Sequence, residues 1–270
     1  MLAAQDVRST NDLRLRAAVW FYAAGTIAAG ILDLIWGEFE AAHQPIQALG
    51  DHIPGRAVLA YLAAIWLIAG GVAILKTRLA RAGALSLMVI YAIFAAFWLP
   101  RFYTAVHVLG FRFPIIVGIF SGLGQQLILV AAAAILYASA NRNVTPLARW
   151  LVGLSSVAFG LAHLTGVQLV AAMVPKWLPF GGDFWARFTG MAFVFAGAAI
   201  VAQVLDLLAS RLLALMLFLF SVLVLARAPL ARPHDHIAWG SNAYNLAAVG
   251  AAWIFAETST ARKTKKTSER

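Results

Sequence analysis

Eight apolar stretches fill this chain and leave no room between them for a water-soluble core. They run over approximately 15–36, 56–75, 80–99, 115–138, 148–170, 184–204, 208–226 and 238–256. A helix of about twenty apolar residues matches the hydrocarbon thickness of a bilayer. Hydrophobic residues make up 62% of the chain and charged residues 12%, so polar faces cannot alternate often enough to shield a soluble fold. All nine prolines fall in or beside connections, where a missing N–H breaks no helix. These features predict an all-α membrane protein of about eight transmembrane helices. No connection exceeds about twenty residues, too few for an independent domain.

The net charge of +10 is explained by topology rather than by a nucleic-acid partner. The N-terminus, the turns near Lys76–Arg81, Arg142–Arg149 and Arg211, and the C-terminal tail hold fourteen of the twenty-one lysines and arginines. The opposite connections hold Arg56, Arg101, Arg112, Lys176, Arg187, Arg227 and Arg232. The positive-inside rule puts the richer set, with both termini, in the cytoplasm. The polar opening of sixteen residues is no signal-peptide n-region, so an uncleaved first helix is expected. The tail Ala261–Lys266 is polybasic and suits anionic lipid.

The second half of the chain echoes the first. Shifted by 130 residues, Thr26–Leu34 overlays Ser156–Leu164, and with small gaps Ala69–Gly70 meets Ala196–Gly197, Arg81 meets Arg211 and Pro100 meets Pro229. Each half carries an even number of spans, so the halves enter the membrane in the same orientation, as parallel repeats do. The expected organisation is a cytoplasmic segment over 1–14, a four-helix repeat over 15–138, a second over 146–256 and a basic tail over 257–270. Thr26-xxx-Gly30, Gly118-xxx-Gly122 and Ser156-xxx-Gly160 supply the small residues that let helices approach closely.

Asp33 and His163 occupy matched positions in this repeat, each toward the outer end of its helix. A charged side chain inside hydrocarbon costs about 2.5–3.5 kcal/mol on insertion scales, so it calls for a partner or a task. Asp33 precedes the interfacial Trp36 and Gly37, where reaching water or capping a neighbouring helix would also satisfy it. His163 lies deeper, and a hydrogen-bonded neutral imidazole would be content there. Gln125, Gln126, Asn242 and Asn245 suit interhelical hydrogen bonds worth about 0.6 kcal/mol each. Trp20, Trp36, Trp98, Trp177, Trp185, Trp239 and Trp253 sit near span ends, where indoles anchor at the interface.

All six histidines fall in or beyond the outer half of the membrane: His43, His52, His107, His163, His234 and His236. His234 and His236 are the residues that would bind a divalent metal, but a His-x-His without a fixed third ligand predicts a solvated loop instead of a metal centre. Cysteine is absent, which excludes disulfides and thiolate chemistry in this chain. There is no phosphate-binding loop, serine elbow or zinc-protease motif, and no pair of facing histidines for haem. No self-contained catalytic motif is present.

The run Gly160-Leu161-Ala162-His163-Leu164, then Val174-Pro175-Lys176-Trp177-Leu178-Pro179, Phe184-Trp185, Gly190 and Ala196-Gly197, resembles DoxX-like membrane proteins. Arg211–Phe220 and Pro229 with Trp239-Gly240-Ser241-Asn242 extend the likeness, which covers 146–256; the first half resembles a diverged copy. The resemblance implies a four-helix unit in a bacterial inner membrane and, for some relatives, association with quinone-linked oxidation or oxidative stress. It transfers no catalytic set. Where relatives often carry a histidine before the proline ending the third helix of the unit, this chain has Ala228-Pro229.

The expectation is a DoxX-like multi-pass inner-membrane protein of unassigned activity, whose first candidate role is that of an accessory subunit binding quinone or a redox partner, with His163, Asp33, Trp185 and Asn242 as candidate ligand contacts. The alternatives are a proton-coupled small-molecule transporter using Asp33 and His163, or a non-catalytic assembly or stress-response protein.

Overall fold

Inside hydrocarbon every peptide group must find its hydrogen bond within the chain, and this chain meets that demand with helices alone among its described residues. The computed structural model describes the backbone of residues 2–40, 43, 54–138 and 146–268, and the side chains of that set between Asp12 and Ser259. Asp51, His52 and Arg142, and the side chains of Arg8 and of the basic tail, lie outside the described residues. The elements are α1 (Leu2–Trp36), α2 (Arg56–Leu75), α3 (Ala80–Ala96), α4 (Arg101–Leu109), α5 (Phe113–Tyr137) and α6 (Pro146–Thr165). They continue with α7 (Val167–Met173), α8 (Gly181–Ala202), α9 (Asp206–Leu219), α10 (Arg227–Ala231) and α11 (His236–Ser268). A π-helical stretch, Phe220–Leu225, joins α9 to α10.

Among the described residues, seven segments are long and apolar enough to cross a membrane: Asp12–Trp36, Arg56–Leu75, Ala80–Leu109, Phe113–Tyr137, Pro146–Thr165, Gly181–Ala202 and Asp206–Ala231. The chain is a multi-pass membrane protein. The eighth expected span, 238–256, lies within α11, which is long enough but falls outside that set. Ser241, Asn242, Tyr244 and Asn245 dilute its apolar character. These polar groups are tolerated because α11 faces protein: Ala247, Ala248, Val249, Ala251 and Ala252 are all buried.

The principal contacts trace a closed circuit of helices. It runs α1–α2–α3–α5–α6–α8–α9–α11 and returns to α1, with α5 and α11 also meeting each other. α1 and α11 run antiparallel along their shared length: Gly25 lies against Ala243 and Ala247, and Gly250 against Ala18 and Tyr22. A Cβ at either glycine would collide with the facing backbone, so the two helices approach as closely as helices can. The Tyr22 hydroxyl donates to the Leu129 carbonyl at 2.9 Å, tying α1 to α5 through the interior.

The same contacts recur between different helices. Gly30 of α1 faces the Ala64 carbonyl and Ile68 of α2, as Gly160 of α6 faces the Gly190 carbonyl and Val194 of α8. Gly71 meets Ala23 and Ile27, as Gly197 meets Gly153 and Val157. A shift of 130 residues carries these α1 positions onto α6, and a shift of 126 carries the α2 positions onto α8. The contacts thus pair Gly197 with Gly71 rather than with Gly70, one residue from the alignment expected from sequence.

At the end where α6 begins, Arg149 and Asp206 form a buried ion pair at 3.0 Å, and Arg149 also donates to the Ile200 carbonyl at 3.1 Å. Nearby Arg211 reaches buried Glu257 at 3.4 Å, which also accepts from the Trp253 indole at 3.3 Å.

Candidate functional site

Two regions bring polar chemistry into the apolar bundle. The first forms around Asp33 in the last turn of α1, whose side chain is 0% exposed. Gly37, at φ +62°, ends α1 and turns the chain back, a backbone conformation that costs glycine least. The return brings the Glu40 N–H to donate to Asp33 Oδ1 at 2.8 Å. It also brings His43 Nδ1 to 3.8 Å from Asp33 Oδ2, with the imidazole stacked on Phe94 at 4.1 Å between centroids. From the first turn of α11, His236 places Nε2 at 3.4 Å from Asp33 Oδ1 and stacks on Trp36 at 4.9 Å.

Tyr91 stands beside His43 and shares a hydrogen bond of 2.9 Å with Thr26. Glu40 packs on Gly240 of α11, where any side chain would displace it. Asp33 Oδ2, His43 Nδ1, His236 Nε2 and the Tyr244 hydroxyl are buried without a hydrogen bond among the described residues. One carboxylate is thus held between two imidazoles that come from opposite ends of the chain. Such a set can store and pass a proton at little geometric cost.

The second region is an apolar cavity of about 430 Å³ between α6, α7, α8, α9 and the π-helical stretch. Among the described residues, His163 is the only ionisable side chain on its wall; Trp185, Phe188, Thr189, Met216 and Phe220 are among its neighbours there. The imidazole packs edge-on to Phe193 at 5.2 Å, and its Nδ1 lies 3.4 Å from Thr189 Oγ1. That hydroxyl already donates to the Trp185 carbonyl at 2.7 Å, so it has only a lone pair left to offer the ring. The Trp185 indole is committed as well, donating to the Pro179 carbonyl at 2.7 Å. His163 is therefore the polar group on this wall with hydrogen-bonding capacity to spare for a guest.

The shape of the cavity depends on the π-helical stretch, where Ala226 N–H donates five residues back to the Ser221 carbonyl at 2.9 Å. Asn245 of α11 holds this distortion in place, its amide donating to the Leu217 carbonyl at 2.6 Å and to Ser221 Oγ at 2.7 Å. A π-bulge inside an apolar helix commonly marks a functional position, because it re-aims the side chains around it. Here it turns Phe220 and Leu223 toward the cavity.

The sequence-selected residues thus divide between the two regions. His163 and Trp185 share the cavity, Asp33 anchors the polar cluster, and half-buried Asn242 on α11 is not on the cavity wall. His236 joins Asp33, whereas His234 is exposed. No group of three or more metal-ligating side chains converges among the described residues. His43, Glu40 and Tyr244 had no signal of their own in the sequence beyond the concentration of histidines on one side. Asn245 stood out only as an amide among apolar neighbours. No family model matches the chain, and neither a curated protein nor a solved structure does so.

Proposed function

We propose that this chain is a DoxX-like protein of the bacterial inner membrane that binds a lipid-soluble quinone at His163 and serves a membrane redox partner as an accessory subunit. The observation that carries this reading is the cavity of about 430 Å³ whose wall, among the described residues, is apolar apart from the His163 imidazole and the already bonded Thr189 and Trp185. A quinone asks for little more: an apolar slot for its ring and one hydrogen-bonding group for its oxygen. With Nδ1–H directed at the Thr189 lone pair, Nε2 accepts from a hydroquinone hydroxyl; the other tautomer, which gives up the Thr189 contact, donates to a quinone carbonyl. The recurrence of the α1–α2 contacts in α6–α8 supports two parallel four-helix repeats. The antiparallel pairing of α1 with α11 supports α11 as an eighth span, with both termini on one side, and the distribution of basic residues supports the cytoplasm as that side.

The test is to purify the protein in native-lipid nanodiscs and identify bound small molecules by mass spectrometry, with His163→Ala alongside. A quinone retained by the wild type and depleted at least tenfold in the variant is the expected outcome. Equal retention by both would remove His163 from the site.

A second reading, proton-coupled transport of a small molecule, is favoured by the buried Asp33 cluster. Intramembrane carboxylates and imidazoles are the usual means of moving protons through transporters. On this reading, proteoliposomes show substrate uptake driven by a pH gradient and Asp33→Asn abolishes it; uptake unchanged in the variant would dismiss the cluster as its proton site.

A further inference from the structure

The cavity beside His163 continues into a second one of about 290 Å³ between α8 and α9, and the two share Ala192, Leu212 and Met216. Together they form an apolar cleft from the π-helical stretch down to Leu205, along most of the length of α8 and α9. The corresponding helices of the first half are α2 and α3. There the Trp66 indole, about 37% exposed, reaches across to α3, its Nε1 donating to Ser86 Oγ at 2.6 Å. Gly83 lets α3 settle on α2, since a Cβ at that position would stand 2.7 Å from the Ala73 methyl.

The shift of 126 residues that carries α2 contacts onto α8 carries Trp66 onto Ala192. The shift of 130 that pairs Arg81 with Arg211 carries Ser86 onto Met216 and Gly83 onto Leu213. Ala192 and Met216 are two of the three residues where the cavities join. At the same slot, then, one half has an indole, a hydroxyl and a glycine that closes the helices. The other has a methyl, a thioether and a leucine that holds them apart. The polar partner has also moved: Ser86 is gone, and Thr189 and His163 stand one helical turn from Ala192 instead.

The geometry points to a binding site for a planar, ring-headed lipid: the ring occupies at Ala192 the slot that Trp66 occupies in the first half, its polar edge faces His163, and its hydrocarbon chain lies between α8 and α9 toward Leu205. The inference deepens the quinone reading and rests on it. In the first half, an indole already spans the matching pair of helices.

Two reciprocal variants test it. Ala192→Trp should fill the slot with the residue its counterpart already carries, and Trp66→Ala should empty the other. The probe is decylubiquinone, titrated onto purified protein in phosphatidylcholine nanodiscs and counted by native mass spectrometry. The wild type should bind one molecule, Ala192→Trp at least tenfold more weakly, and Trp66→Ala should gain a second, weaker site. Should Ala192→Trp fail to fold, the gain in Trp66→Ala decides alone.

Unchanged binding by both variants, with loss in His163→Ala, overturns the ring slot and leaves the quinone reading standing. No binding to the wild type overturns both. A tightly held phospholipid that decylubiquinone cannot displace, and that Ala192→Trp removes, assigns the cleft to an acyl chain and overturns the ring.

Discussion

Asp33 and Arg149 show two ways in which a charge survives inside this bundle. Arg149 meets the Asp206 carboxylate and the Ile200 carbonyl, and neither charged side chain has a buried polar atom without a hydrogen bond among the described residues. Asp33 is held by a single backbone N–H and faces two imidazole nitrogens at distances longer than a hydrogen bond. The first arrangement is structural. Replacing Arg149 with Met should strand Asp206 and cost about 3–5 kcal/mol, seen as a large drop in thermal unfolding temperature. Pairing that change with Asp206→Leu should recover most of the loss, because an apolar pair of similar volume needs no desolvation. At this scale the sequence announced the groups but not their partners. Asp33 stood out as a charge within an apolar span, yet His43 reaches it only because Gly37 reverses the chain, and His236 arrives from the far half of the sequence.

At the level of elements, apolar length alone located most helices, and α2 begins and ends where its stretch does. The exceptions each have a local cause. The stretch expected over 148–170 breaks at Gly166 into α6 and α7, while Thr165 Oγ1 turns inward to the Leu161 carbonyl at 2.8 Å. The π-helical stretch was illegible because nothing in Phe220–Leu225 demands it; its support is an amide on another helix. Asn245→Ala should therefore relax this stretch toward ordinary helix. The expected cost is about 1 kcal/mol for two interhelical hydrogen bonds, measured by thermal unfolding, together with weaker retention of any guest in the His163 cavity.

Across the whole molecule, each half depends on the other for its outer helices: α1 closes on α11, and α6 on α5. This connectivity could not be read from the sequence, since apolar faces rich in alanine and glycine accept many partners. Neither half should be stable alone. Cutting the chain between residues 138 and 146 and producing both fragments together should restore the complex on purification by a tag on one of them. Each fragment produced singly should be degraded. Recovery of a stable, monodisperse single half would contradict the circuit.

The exchange of terminal helices between halves bears on how the molecule could change over time. On the proposed duplication, an unfused ancestor would have met its own copy through these surfaces, and every substitution would have acted twice, once in each subunit. A tryptophan that plugged one slot would have plugged both. Covalent fusion removes that constraint, because Trp66 and Ala192 are inherited as separate letters. On the proposed duplication, one half would then be free to fill its slot while the other stayed open to the proposed ligand. On that reading, the difference between Trp66 and Ala192 is one that a symmetric pair of identical chains would have no means to encode.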